Sequence, residues 1–195
     1  MATTTRERTR DSRGYGAGTG AIVGAAVAGA AVGVAATIGR KLFVQFASGA
    51  TGDWLEALKA EHQTALALFD KLQATDSSQT TIRSHLLSKL KHALGKHANE
   101  EENIIYPALR EAGERRDADH LNSDHGYVKT YLYELEGMDN DDPAFLARVA
   151  DFRSMLEKHI REEENEIFPR LKSRISEEKS DELTALLNKE GFKFA

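Results

Sequence analysis

Lys96-His97-Ala98-Asn99-Glu100-Glu101-Glu102-Asn103, which runs into Ile105-Tyr106-Pro107 and Leu109, returns sixty-two positions later as Lys158-His159-Ile160-Arg161-Glu162-Glu163-Glu164-Asn165, running into Ile167-Phe168-Pro169 and Leu171. On a helix, a glutamate four residues after a histidine lies about one turn away on the same face, so both side chains can reach one metal ion. A single pair of this kind is commonplace as an ordinary helical hydrogen bond. Two copies at matched places argue for a site.

The repetition extends upstream and covers whole helix pairs. Glu61-His62 leads into Leu66, Phe69 and Leu72, and Asp124-His125, sixty-three positions on, leads into Val128, Leu132 and Leu135. Each half is therefore a helix with one histidine on its apolar stripe, then a helix with His-x-x-x-Glu. The fold class this dictates is all-α: an antiparallel up-down four-helix bundle made of two hairpins related by a pseudo-twofold axis. Its interior would collect His62, His97, Glu101, His125, His159 and Glu163. Four imidazoles and two carboxylates buried without a cation would leave polar groups unsatisfied, which a bound metal resolves.

Composition narrows the chemistry. The chain has 195 residues and no cysteine, so disulfides, thiolate ligands and cysteine-held clusters are excluded and any metal must rest on nitrogen and oxygen. Iron, manganese and zinc all suit such ligands. Residues 1–52 carry six basic and two acidic side chains, a net +4, while the remainder carries 20 basic and 29 acidic, a net −9. An acidic bundle repels a phosphate backbone, so no nucleic-acid partner is expected.

The chain divides into a basic, Gly/Ala-rich segment at 1–52, a bundle at 53–175, and a C-terminal helix and tail at 176–195. Within 20–38, Gly20, Gly24, Gly29 and Gly33 form two Gly-x-x-x-Gly spacings, the pattern that lets helices approach closely in a bilayer. The run is long enough to span a membrane, but Ala and Gly partition weakly into lipid. It suits a membrane-associated or self-associating helix, or else a flexible Ala/Gly segment. The bundle itself is expected to be cytoplasmic.

The first helix is expected from Asp53, as its cap, through Leu72, followed by a polar linker at 74–81. The second carries Ile82 through Glu101 and ends at the Tyr106-Pro107 step. Gly113 to Arg116 marks the turn between halves. The third covers about 118–135, Pro143 suits the first turn of the fourth, which runs through Glu163 towards Leu171, and a last helix covers about 180–191 as a lid.

His85, His92 and His120 fall off the apolar stripes and read as surface residues; His120 lies about 140° from His125 at 100° per residue. Glu100 and Glu162 point roughly towards the site and could bridge in place of Glu101 and Glu163. Tyr106 and Phe168 read as core packing and helix termination, with a supporting role beside the metal ligands as the alternative.

These motifs resemble the hemerythrin-like, or HHE cation-binding, family over about residues 53–172. The resemblance implies a carboxylate-bridged di-iron centre with two irons per chain. His62, His97 and Glu101 would serve one iron and His125, His159 and Glu163 the other, with the glutamates shared. Oxygen-carrying members have a further histidine one turn before the position of His125, and here that residue is Leu121. The resulting openness favours reactive or sensing roles over oxygen transport. The expected ligands are dioxygen, peroxide or nitric oxide, in stress response, iron handling or redox sensing, with weak peroxide- or NO-consuming activity open. The alternative is a metal-dependent regulatory or interaction module without turnover.

Overall fold

The structure, a computed structural model, describes residues 52–194, and these form helices joined by short turns. The helices are α1 (Trp54–Gln73), α2 (Thr80–Glu100), α3 (Tyr106–Glu111), α4 (Arg115–Gly137), α5 (Phe145–Glu162), α6 (Phe168–Arg174) and α7 (Glu177–Gly191). A π-helical turn at Glu101–Ile105 joins α2 to α3, and a second at Glu163–Ile167 joins α5 to α6. The Gly/Ala-rich run at 20–38 lies outside the described residues. Among the described residues, no helix is long and apolar enough to cross a membrane.

Asp53 starts α1 by accepting hydrogen bonds at Oδ1 from the backbone N–H groups of Leu55 and Glu56, the capping role its short carboxylate suits. Around the bundle, α1 packs against α2 and α5, and α4 completes the ring against α2 and α5. Gly113, at φ +88°, makes the turn between the hairpins, a conformation that a Cβ would strain. Arg83, buried in the first turn of α2, donates to Thr75 Oγ1 at 2.9 Å and to the Asn140 carbonyl at 2.5 Å and lies over the Phe145 ring, tying together the two loops at one end.

Two apolar clusters fill the bundle. One holds Phe69, Leu72, Leu90, Leu94, Leu132, Phe145, Phe152 and Leu156. The other holds Trp54, Leu58, Ile105, Leu109, Leu121, Phe168 and Leu171, with Leu183 and Leu187 from α7. Each inward histidine falls between residues of the two clusters along its own helix. A polar layer therefore crosses the middle of an otherwise apolar core.

Three boundaries differ from the sequence reading. The second bundle helix does not end at the Tyr106-Pro107 step, whereas the fourth continues past Pro169 towards Leu171 as expected. Proline has no N–H, and its ring crowds the carbonyl four residues back, but a π turn placed just before it widens the helix enough to pass. Tyr106 N–H donates to the Glu101 carbonyl and Phe168 N–H to that of Glu163, five residues back in each case. Pro143 sits before the fourth bundle helix rather than inside its first turn, in a turn where Asp142 Oδ1 accepts from Ala144 N–H at 2.7 Å. The last helix starts at Glu177, not near 180, because Ser176 caps it by accepting from Lys179 N–H. That helix closes one flank: Trp54 N–H and indole N–H donate to Thr184 and Ser180 of α7 at 3.0 and 3.1 Å.

Candidate metal centre

All six side chains expected at the centre meet there, and each is at most 5% exposed. They form two overlapping groups, His62, His97, Glu101 and Glu163, and His125, His159, Glu101 and Glu163, within which one ligand atom per residue lies within 4.8 Å of the others. Glu101 and Glu163 belong to both. Glu101 Oε2 is 3.3 Å from His97 Nε2 and 3.2 Å from His125 Nε2. Glu163 mirrors it, with Oε2 3.3 Å from His62 Nε2 and Oε1 3.2 Å from His159 Nε2.

The other nitrogen of every ring is held by a carboxylate outside the centre. Glu164 lies 2.7 Å from His62 Nδ1, Glu61 3.0 Å from His97 Nδ1, and Glu102 3.0 Å from His125 Nδ1, with Asp124 at 3.4 Å from His159 Nδ1. A carboxylate on Nδ1 fixes the ring's orientation and turns Nε2 towards the interior as a donor to metal. The pattern is cyclic: the acid beside each lone histidine serves the next helix of its own hairpin, and the acid after each shared glutamate serves the other hairpin. These four acids escaped the sequence reading, although the signal is repeated. Each is the immediate neighbour of an inward residue, in both halves.

The donor set fits a cation on the structure's own terms. Glu101 Oε1, Glu163 Oε2 and His159 Nε2 are buried without a hydrogen-bond partner among the described residues. His159 Nε2 and Glu163 Oε1 are within ion-pair range, yet His159 Nε2 makes no hydrogen bond there, while His62 Nε2 and His97 Nε2 lie 3.0 Å apart across the other group. Groups so placed are costly to bury alone. Without metal, protons supply the positive charge. Burial opposes charge on His159, but Glu163 and Asp124 outweigh it and raise the ring to about 10. Burial likewise opposes charge on Glu61, yet His97 and Lys96 hold that carboxyl down to about 2.

Glu100 and Glu162 do not join the centre. Glu162 turns to His120, 2.9 Å away, and His120 stays 48% exposed on the surface, with Asp124 also near it. Glu100 is buried against Lys96, 2.6 Å away, beside Glu61 and the backbone of Gly191. Its burial and the charge of Glu61 raise it to about 8, against the pull of Lys96. A carboxyl whose folded value exceeds its unfolded one stabilises fully below the unfolded value, and that contribution fades as pH rises to the folded one. Glu100→Gln should therefore flatten the fall in melting temperature of the metal-free protein between pH about 4.5 and about 8, as read by thermal circular dichroism of both proteins across that range.

Tyr106, which reads mainly as core packing in the sequence, also reaches the centre. Residues five apart on an α-helix point about 140° apart at 100° each, so Glu101 and Tyr106 could not both face inward. The π turn realigns them, and Tyr106 Oη lies 3.1 Å from Glu101 Oε2. Phe168, its counterpart, is fully buried and carries no polar atom.

Fold and centre together define a class: a four-helix bundle with buried histidines and glutamates that could bind metal. The chain belongs to the hemerythrin family, whose model, the hemerythrin HHE cation binding domain, matches residues 54–171. The fold is similar to that of a hemerythrin HHE cation binding domain-containing protein from Mycobacterium kansasii, with a TM-score of 0.65 and 23% identity, covering 74% of this chain and 88% of that one. An uncharacterized hemerythrin-like protein of Schizosaccharomyces pombe is 26% identical over 129 residues, 64% of this chain and 62% of that protein. A DNA nickase of Nostoc sp. is 23% identical over 127 residues, 65% of this chain but 36% of the nickase. The match thus spans less than two thirds of either curated relative.

Proposed function

We propose that this chain is a non-haem di-iron protein that binds dioxygen, peroxide or nitric oxide, serving in stress response, iron handling or redox sensing. The observation that carries it is the pair of buried carboxylates shared by two histidine pairs, with donor atoms left unsatisfied on both sides of the pair. A bound pair of ferrous ions would supply electrons and open coordination positions for a small ligand. The protein's own part is orientation and exclusion. Four acids hold the rings by Nδ1, Glu101 and Glu163 stand between the two histidine pairs, and apolar clusters on either side keep bulk water out. Leu121, fully buried one turn before His125, contributes no donor where a fifth histidine would stand.

The nickase's activity is not carried over. The net charge of −9 beyond residue 52 opposes binding to a phosphate backbone.

Anaerobic loading with ferrous iron, a metal count, and optical spectra before and after dioxygen, peroxide or nitric oxide test the proposal. Two irons per chain and ligand-dependent spectra are expected. Less than one iron per chain with unchanged spectra would sink it.

A further inference from the structure

The two halves of the centre are not equivalent, and one residue makes them differ. Tyr106 Oη lies 3.0 Å from His125 Nε2, 3.1 Å from Glu101 Oε2 and 3.2 Å from Glu163 Oε1. All three atoms belong to residues of the His125/His159 group. Around a metal with bonds of roughly 2.0–2.2 Å to nitrogen and oxygen, adjacent ligand atoms at right angles are about 3.0 Å apart. The distances from Oη match that spacing as closely as the histidine-to-glutamate distances do. Oη therefore stands where a further ligand atom of that group would stand.

Hydrogen bonding alone accounts poorly for the position. A phenol carries one proton, which can serve Glu101 or Glu163 but not both. The remaining approach sets two oxygen lone pairs together, an arrangement that a cation between them relieves. Phe168, at the matched place of the other half, brings no donor atom, so the His62/His97 group has no equivalent among the described residues.

We propose that Tyr106 is a direct ligand, through Oη, of the metal held by His125 and His159, and that the two metals of the centre are consequently unequal. This rests on the dinuclear reading above. On coordination the phenol O–H bond breaks, an oxygen–metal bond forms, and the proton leaves to solvent. No electrons change hands. The ligand count around the His125/His159 metal rises by one, which leaves the His62/His97 metal as the more open of the two for a small exogenous ligand.

The test uses the full chain loaded with ferric iron. A ferric phenolate gives a ligand-to-metal charge-transfer band in the visible, and excitation into it enhances tyrosine ring modes in resonance Raman spectra. The wild type should show both, and protein grown on ring-deuterated tyrosine should shift the Raman modes. Tyr106→Phe should retain two irons per chain and lose the band entirely. Two irons without a phenolate signature in the wild type, or a signature that survives Tyr106→Phe, would overturn the assignment and leave the dinuclear reading standing. Failure of the wild type to bind iron at all would remove both.

Discussion

Glu163→Ala should abolish binding of both metals, whereas His159→Ala should leave one. The contrast follows from geometry rather than from the ligand type. His159 belongs to one of the two candidate groups, while Glu163 belongs to both, with its two oxygens directed to His62 on one side and His159 on the other. Losing His159 deprives one metal of a donor and leaves His62, His97, Glu101 and Glu163 in place for its neighbour. Losing Glu163 strips a donor from each and removes the anion that offsets two adjacent cations. Outer-shell partners of metal sites are worth about 10–100-fold in affinity, so the loss of a shared ligand should exceed about 100-fold at each metal. Metal counts after equilibrium dialysis, with helicity checked by circular dichroism, read both variants. Equal stoichiometry in the two would show that the glutamate is not shared.

Much of this arrangement was legible because the chain states it twice. The four histidines and two glutamates fall on apolar stripes at nearly equal intervals, and duplication raised a weak spacing signal into a site. The four-helix architecture followed from the same stripes. The missing part was local backbone geometry. Helical spacing at 100° per residue places Tyr106 away from Glu101, and a proline reads as the end of a helix. Neither expectation allows for a π turn, whose one-residue shift depends on the widened backbone before Pro107 and Pro169 and has no signature in hydrophobic periodicity. Glu100 misled for a related reason. At three residues from His97 it lies near the right face, but Lys96, four residues before it, draws it aside. The acids that orient the rings were missed because polar residues beside a stripe ordinarily read as solvated surface. Only the packing of neighbouring helices shows that Glu61 meets His97 and that Glu102 meets His125.

Chelation should lower the melting temperature by roughly 10–20 °C near neutral pH without dissolving the helices at room temperature. A ligand that binds only the folded state at about 100 times its dissociation constant stabilises it by about 2.7 kcal/mol, so two ions contribute about 5 kcal/mol. For a domain of about 150 residues or more, each kcal/mol moves the midpoint by about 2–4 °C. The metal-free bundle should nonetheless persist, because its two apolar clusters lie on either side of the polar layer and neither contains a donor to the centre except Tyr106. The pH dependence has a definite sign. In the metal-free protein, charge balance at the centre relies on protonated imidazoles such as His159, raised to about 10. That contribution is complete below the ordinary imidazole value of about 6.5 and is lost as pH climbs through the raised one. In the loaded protein, metal takes the place of those protons and its affinity rises as they leave. The gap in melting temperature between loaded and chelated protein should therefore widen with pH, measured by paired thermal melts from pH about 6.5 to about 9. A chelated chain with no cooperative transition would mean that the apolar clusters cannot hold the bundle alone, and the centre would then act as a folding switch, the behaviour of a metal-dependent interaction module.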